Sequence, residues 1–289
     1  MELVFWGVRG SCPVSGPRQQ FYGGETSCVA VHVEGQPPLL CDLGTGLRNA
    51  FETVDLSGPP VEANVLLSHL HWDHVLGLPF AAPLSLTEAK VDIYAPPQES
   101  GGLVEVFGRF MQPPFFPVDV TQLKAKVDFH EVWDQDVELG AIRVLVRPVP
   151  HVGATSGFRI EAEGVSVAYV SDHQEPPSGE IAQSVLELCD GADLVIHDAQ
   201  YDEQELSQRP DWGHSSVAYA VRVALESGAR SLMLFHHDPG HDDATVSRML
   251  SDARELPGAK RLALLEAARE RSRLVLSPGR TAYFAPNPS

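Results

Sequence analysis

The chain has 289 residues, of which 43% are hydrophobic and 21% charged, enough apolar material for a large packed core and too much for a disordered chain. Its 39 acidic residues outnumber 21 Lys and Arg, for a formal net charge of −18, and no basic run offers a track along a phosphate backbone, so binding to long nucleic acid is disfavoured. No segment approaches about 18 uninterrupted apolar residues, the start Met1-Glu2-Leu3-Val4-Phe5-Trp6 lacks a basic n-region, and Cys12, Cys28, Cys41 and Cys189 are scattered, which together predict a soluble cytoplasmic protein without a membrane span or a disulfide framework.

Strand and helix signals alternate from end to end, with Pro/Gly loops at 58–60, 96–102 and 113–117 and no linker that divides the chain, so residues 1–289 are expected to form one domain. The first landmark is the loop Val8-Arg9-Gly10-Ser11, from which Arg9 could reach a substrate phosphate, although an arginine tying down a turn is commoner. Residues 64–68 then read as a buried strand ending in His69-Leu70-His71-Trp72-Asp73-His74. At period 2, His69 and His71 project to one side while Asp73 and His74 turn into the next loop or helix start. Imidazoles beside a carboxylate suit zinc, iron or manganese, so the run looks like half of a two-metal site. Further along, Phe110-Met111-Gln112-Pro113-Pro114-Phe115-Phe116-Pro117 concentrates aromatics among prolines. Phe115 and Phe116 either form a lid able to stack on a base or cover the core or a second subunit.

Single His or Asp residues follow the later strands. His151 comes after the strand-like 142–146 and Pro148-Val149-Pro150, Asp172 ends 167–171, and His236 ends 231–235. Between them, His197-Asp198-Ala199-Gln200-Tyr201 follows the strand 193–196, and Gly213-His214-Ser215-Ser216 opens an Ala/Val-rich helix running to about Gly228. Each alone reads as a turn residue, and Ser215 or Ser216 as a helix N-cap. His197 is ambiguous at this level, since it neighbours Asp198 at a strand end.

Taken in order, these residues resemble the metallo-β-lactamase superfamily, whose ligand series is His-x-His-x-Asp-His, His, Asp, His. The resemblance spans nearly the whole chain and includes Asp42-Leu43-Gly44 as the family's early Asp-x-Gly element, where Asp42 supports the ligand loop. It implies an α/β fold, a four-layer αββα sandwich of two similar halves with metals at the strand-end edge. It also implies two divalent ions, zinc first with manganese or iron as alternatives: one held by His69, His71 and His151, the other by Asp73, His74 and His236, with Asp172 bridging. Such a pair lowers the pKa of a shared water toward neutrality and clamps the attacking and leaving oxygens. The His-Asp-Ala and Gly-His-Ser-Ser elements resemble those of the ribonuclease Z-like phosphodiesterases, with Asp198 in a Glu position and Ser216 in a Thr position. Carried over, Asp198 orients and charges His214, His214 protonates the leaving oxygen, Asp73 partners the nucleophilic water, and Ser215 and Ser216 at the helix start face the phosphate. The opening segment resembles an uncharacterised bacterial group of the superfamily, and because homodimers are common in this branch the resemblance allows one here.

Two departures select the substrate. Only 20 residues separate His151 from Asp172, too few for the long arm with which ribonuclease Z grips tRNA, and the acidic charge agrees. The reading is therefore a dinuclear hydrolase of small anionic phosphodiesters, cyclic nucleotides being a natural candidate. The alternatives are an endoribonuclease of the ribonuclease Z type and a metal-binding regulatory protein without turnover, and lactamase activity is least favoured.

Overall fold

Apolar residues recur at period 2 or run continuously through the segments that become strands, and the burial follows that pattern: Leu3 and Phe5 are buried in the first strand, and every residue of Val165–Val170 is buried, as expected for a strand covered on both faces. The protein is described here from a computed structural model, which covers residues 1–51 and 60–286. The predicted loop at 58–60 lies, except for residue 60, outside the described residues, whereas those at 96–102 and 113–117 are loops as expected.

In chain order the first half comprises β1 (Glu2–Gly7), β2 (Cys28–His32), β3 (Leu39–Cys41), α1 (Leu47–Ala50), β4 (Glu62–Leu66), α2 (Trp72–Val75), β5 (Lys90–Ala95), α3 (Leu103–Phe110) and β6 (Lys126–Glu131). The second half comprises β7 (Gln135–Leu139), β8 (Ile142–Pro148), β9 (Ser156–Ala162), β10 (Val165–Val170), α4 (Gln183–Cys189), β11 (Leu194–Asp198), α5 (Glu203–Gln208), α6 (Val217–Glu226), β12 (Ser231–Phe235), α7 (Asp243–Glu255) and β13 (Leu264–Ala267). The chain then returns to the first sheet with β14 (Arg273–Ser277) and β15 (Arg280–Phe284). Among the described residues this gives one sheet ordered β15-β14-β1-β2-β3-β4-β5-β6 and another ordered β13-β12-β11-β10-β9-β8-β7.

The sheets stack face to face. Phe5, Val31 and Leu66 from the first share a core with Val144, Ile160, Ile196 and Phe235 from the second, and the Phe5 and Phe235 rings approach to 6.2 Å. On the outer face of the second sheet, Val185, Val221 and Met249 of α4, α6 and α7 cover Ala168, Val195 and Leu232. On that of the first, Leu47, Val75 and Phe107 cover Val4, Val65 and Ile93. The result is the four-layer αββα sandwich expected. Each fully buried Leu, Ile or Phe contributes roughly 1.5–3 kcal/mol of transfer free energy to it.

Strand register sets up the functional edge. β10, β11 and β12 are parallel neighbours with Val170 opposite His197 and Asp198 opposite Phe235, so Asp172, Asp198 and His236 emerge at one edge of the second sheet. β3 and β4 are likewise parallel, with Cys41 opposite Leu66, which delivers Asp42 beside Ser68 at the matching edge of the first. The strand predicted over 64–68 ends at Leu66, because the Ser68 N–H leaves the ladder for the Asp42 carboxylate at 2.7 Å. His151 and Asp172 are connected through the β9–β10 hairpin, which leaves no room for an inserted arm. All four cysteines are free, Cys12 exposed and the others buried, and no helix among the described residues is long and apolar enough to cross a membrane.

Candidate metal centre

Two groups of ligand-type atoms meet at this edge. His69, His71, His151 and Asp172 offer one atom each within 4.8 Å of one another, and so do Asp73, His74, Asp172 and His236. Asp172 belongs to both, and its two oxygens divide between them. Oδ2 faces His69 Nε2 at 3.7 Å and His151 Nε2 at 3.6 Å, while Oδ1 faces His74 Nε2 at 3.1 Å and His236 Nε2 at 3.2 Å. That is the placement a bridging carboxylate needs.

The far side of four of the five rings is anchored, His71 being the exception. His74 Nδ1 donates to Asp42 Oδ2 at 2.7 Å, His69 Nδ1 to Ser68 Oγ at 3.0 Å, His151 Nδ1 to the Gly213 carbonyl at 2.6 Å, and His236 Nδ1 to Gln200 Oε1 at 2.8 Å. Such outer partners fix the tautomer and leave Nε2 with its lone pair toward the centre. Asp42 is fully buried at a left-handed φ of 63° and also accepts from Ser68 Oγ at 3.0 Å and Tyr169 OH at 2.7 Å, contacts that offset the strain of that backbone. His236 shares the left-handed region, at φ 62°, directly after β12.

Two glycines admit the rings. A Cβ on Gly10 would lie 2.3 Å from His236 Nδ1, and one on Gly213 would lie 2.5 Å from His151 Nδ1, so both ligand rings occupy space that any larger residue would take.

The residues fit a divalent cation. His69 Nε2, His74 Nε2 and Asp172 Oδ1 are buried without a hydrogen-bond partner, although the last two are only 3.1 Å apart, and His151 Nε2 faces His71 Nδ1 at 3.3 Å. Buried orphaned donors and acceptors that converge in this way cost free energy unless something satisfies them. Electrostatics agree. Burial and then the neighbouring His74 push His69 well below the usual imidazole value, toward the neutral ligand form. Burial alone would lower His74, but Asp73, Asp172 and Asp42 outweigh it and hold it well above, a negative field that favours a cation. Burial raises the Asp73 carboxyl, yet His74 and His236 overcome that and keep it far below the usual carboxylate range.

Beside the centre, His214 Nδ1 donates to Asp198 Oδ2 at 2.8 Å. Burial lowers the His214 pKa, but Asp198, followed by Asp172 and Asp73, reverses this and pushes it up to about 9. His214 lines a cleft of about 430 Å³ together with His71, Trp72, Asp73, His151, Asp172 and Trp212. His214, paired with Asp198, thus shares a cavity with residues of both ligand groups.

Three expected substrate contacts do not face this cleft. Arg9 is 0% exposed, and its guanidinium donates to the carbonyls of Gly23 at 2.8 Å, Asp238 at 3.1 Å and His241 at 2.8 Å, so it ties loops together instead of reaching a phosphate. Ser215 Oγ is buried and donates to the His173 carbonyl. Ser216 is the N-cap of α6, accepting from Tyr219 N at 3.1 Å and donating to Glu175 Oε2 at 2.9 Å. In each case a backbone or carboxylate partner inside the protein consumes the group. His197 is also turned inward, its Nδ1 bonded to the Asp198 carbonyl at 2.7 Å and its Nε2 facing His173 Nδ1 at 3.3 Å.

Other residues at the site escaped the sequence reading. Gln200 holds His236, and Ser11 N donates to Asp73 Oδ2 at 2.7 Å from a left-handed turn. Gln200 stands two residues beyond Asp198, and the 198–200 spacing was the one signal that could have marked it. For Gly10 and Gly213 no local signal distinguishes them from turn glycines.

Residues 39–237 match the beta-lactamase superfamily domain. The chain is 30% identical over 210 residues to an uncharacterized protein of Mycobacterium tuberculosis, covering 70% of this chain and 71% of that one. It is 26% identical over 228 residues to a ribonuclease Z of Mycobacterium marinum, covering 71% and 77%. Among solved structures, the metallo-beta-lactamase fold protein YhfI of Bacillus subtilis superposes with a TM-score of 0.70 at 19% identity, covering 94% of this chain and 97% of that one.

Proposed function

The chain belongs to the β-lactamase superfamily, as a metal-dependent hydrolase of its ribonuclease Z-like branch, and on that premise we propose that it cleaves small anionic phosphodiesters at a two-metal centre. His69, His71 and His151 would hold one ion, Asp73, His74 and His236 the other, and Asp172 both; zinc suits this set of imidazoles and carboxylates, with manganese or iron as alternatives. Bound there, divalent ions supply Lewis acidity and an activated water. The whole chain, 1–289, is read as one hydrolase domain, a reading supported by a core shared from Met1 to Leu276.

The observation that carries the proposal is His214 in the same cleft as residues of the two ligand groups, its Nδ1 held by Asp198, a partner that favours the protonated ring. Nδ1 is committed to Asp198, so Nε2 is the nitrogen available to the substrate, and its proton goes to the leaving oxygen as the P–O bond breaks. Asp198 keeps the ring oriented and the proton in place, as a carboxylate does for a catalytic histidine elsewhere. Asp73, whose Oδ2 accepts from Ser11 N–H, is positioned to accept from the attacking water. Small substrates are favoured over RNA by the net charge of −18 and by the short hairpin between His151 and Asp172.

The test is turnover of metal-reconstituted protein on bis(4-nitrophenyl) phosphate, a panel of cyclic nucleotides and a tRNA precursor, with the metal-stripped protein and Asp172→Asn alongside. Hydrolysis of small diesters, lost in both controls and without RNA processing, is expected. RNA processing alone would instead support the endoribonuclease, and metal loading without any turnover the regulatory protein.

A further inference from the structure

Trp72 separates two surfaces. It lines the metal cleft and also a groove of about 520 Å³ walled by Phe80, Phe110, Phe115 and Phe116. Trp72 is 70% exposed, Phe80 62% and Phe115 82%, an aromatic patch that a protein surface rarely carries without a binding role. The groove is built from fixed parts. Phe80 and Phe116 meet edge to face at 6.0 Å, and Trp72 opens α2 between His71 and Asp73, one from each ligand group. The charged residue of its lining, Arg109, directs its Nη2 to Glu105 and to the Ser100 carbonyl, and the rest of the lining is ring faces and alkyl surface.

A lining made mostly of ring faces binds flat, apolar surface better than a sugar or a peptide backbone. The wall shared with the metal cleft places the groove beside the reacting centre, so an occupant that is part of the substrate fits it best: Trp72 borders both cavities. We infer that the groove beyond Trp72 holds a planar aromatic substituent of the diester, a nucleobase or an aryl group, while the phosphate lies at the metals. This rests on the phosphodiesterase reading above and assigns its specificity to Trp72, Phe80 and Phe115.

The test compares metal-loaded wild type with Phe80→Ala and Phe115→Ala, whose exposed side chains make both variants safe for folding. The readout is the ratio of kcat/KM for an aromatic diester to that for glycerol cyclic phosphate, which has no ring. A fall of about tenfold is expected, the size that loss of one base–aromatic stack produces. A fall confined to cyclic nucleotides identifies a base, and one confined to bis(4-nitrophenyl) phosphate an aryl group; both support the inference. An unchanged ratio overturns it, and if Phe115→Ala then also dissociates a dimer, the groove is an interface between copies. Should wild type hydrolyse no diester, the phosphodiesterase reading fails separately. Saturation-transfer NMR with adenosine and 4-nitrophenol then decides the groove: transfer weakened in the variants supports it, and no transfer, or equal transfer, overturns it.

Discussion

Asp198 grips His214 through Oδ2, at 2.8 Å from Nδ1, while its Oδ1 accepts the Gln200 N–H at 3.0 Å, so one buried carboxylate places both the proton donor and, through Gln200, the ring of His236. The donor must be protonated to act, so activity is present below its pKa and is lost as pH rises through it. Asp198 raises that pKa. Asp198→Asn should therefore move the alkaline limb of the kcat/KM profile to lower pH, and His214→Ala should slow diester cleavage by about 10²-fold with metal content intact. An alkaline limb that stays in place in Asp198→Asn would remove the pair from the mechanism.

Gly10 controls His236 from the opposite side. A methyl group there would sit 2.3 Å from His236 Nδ1 and 2.6 Å from Gln200 Oε1. Gly10→Ala should keep the fold and lose about 10- to 100-fold in metal affinity, as disturbed outer-shell partners do. Titration against a chelator measures it; wild-type affinity would show that the ring can move without consequence.

Asp42 joins the sheets to the ligand loop through Ser68, His74 and Tyr169. Asp42→Asn keeps the shape but turns an amide N–H₂ toward groups that donate, at a cost of roughly 3 kcal/mol. Urea unfolding of the two proteins gives the difference, and a loss below about 1 kcal/mol would mean that the loop is held elsewhere.

Glu270 gives the fold a pH dependence of its own. Burial pushes its carboxyl up from 4.5 to about 7, against the pull of backbone N–H groups of Glu25 and Gly24 and of Arg9. With the folded value above the unfolded one, its contribution is fully present below about pH 4.5 and is lost as pH rises through about 7. Between pH 4.5 and 8, Glu270→Gln should gain up to ~3 kcal/mol on wild type. Parallel stability curves for the two proteins would sink the assignment.

The ligand series was legible because each member follows an apolar strand: His69 to His74, Asp172 and His236 leave strands with parallel neighbours, and His151 leaves β8, which is antiparallel on both sides. His69 to His74, His151, Asp172 and His236 come together as their order suggested, and Asp198 meets His214. Arg9 and Ser215 turn away from the cleft because backbone carbonyls distant in sequence take them, as with Arg9 on Asp238 and His241, 229 and 232 residues distant, whereas at Ser216 the structure shows the N-cap that its place before the helix offered as the alternative.

The pattern of residues by itself determined the alternation of strands and helices, the ligand-type residues at strand ends and the short separation of His151 from Asp172, because these depend on periodicity, spacing and residue chemistry; the four-layer stacking and the division of the ligands between two ions followed from the resemblance to the superfamily. Tertiary structure decided which oxygen of Asp172 faces which group, that Gly10 and Gly213 make room for ligand rings, and that Trp72 lines both the cleft and an aromatic groove. Those relations arise only when the parallel edges of two sheets bring distant loops within a few ångströms, and the packing that fixes them has no local signature in the chain.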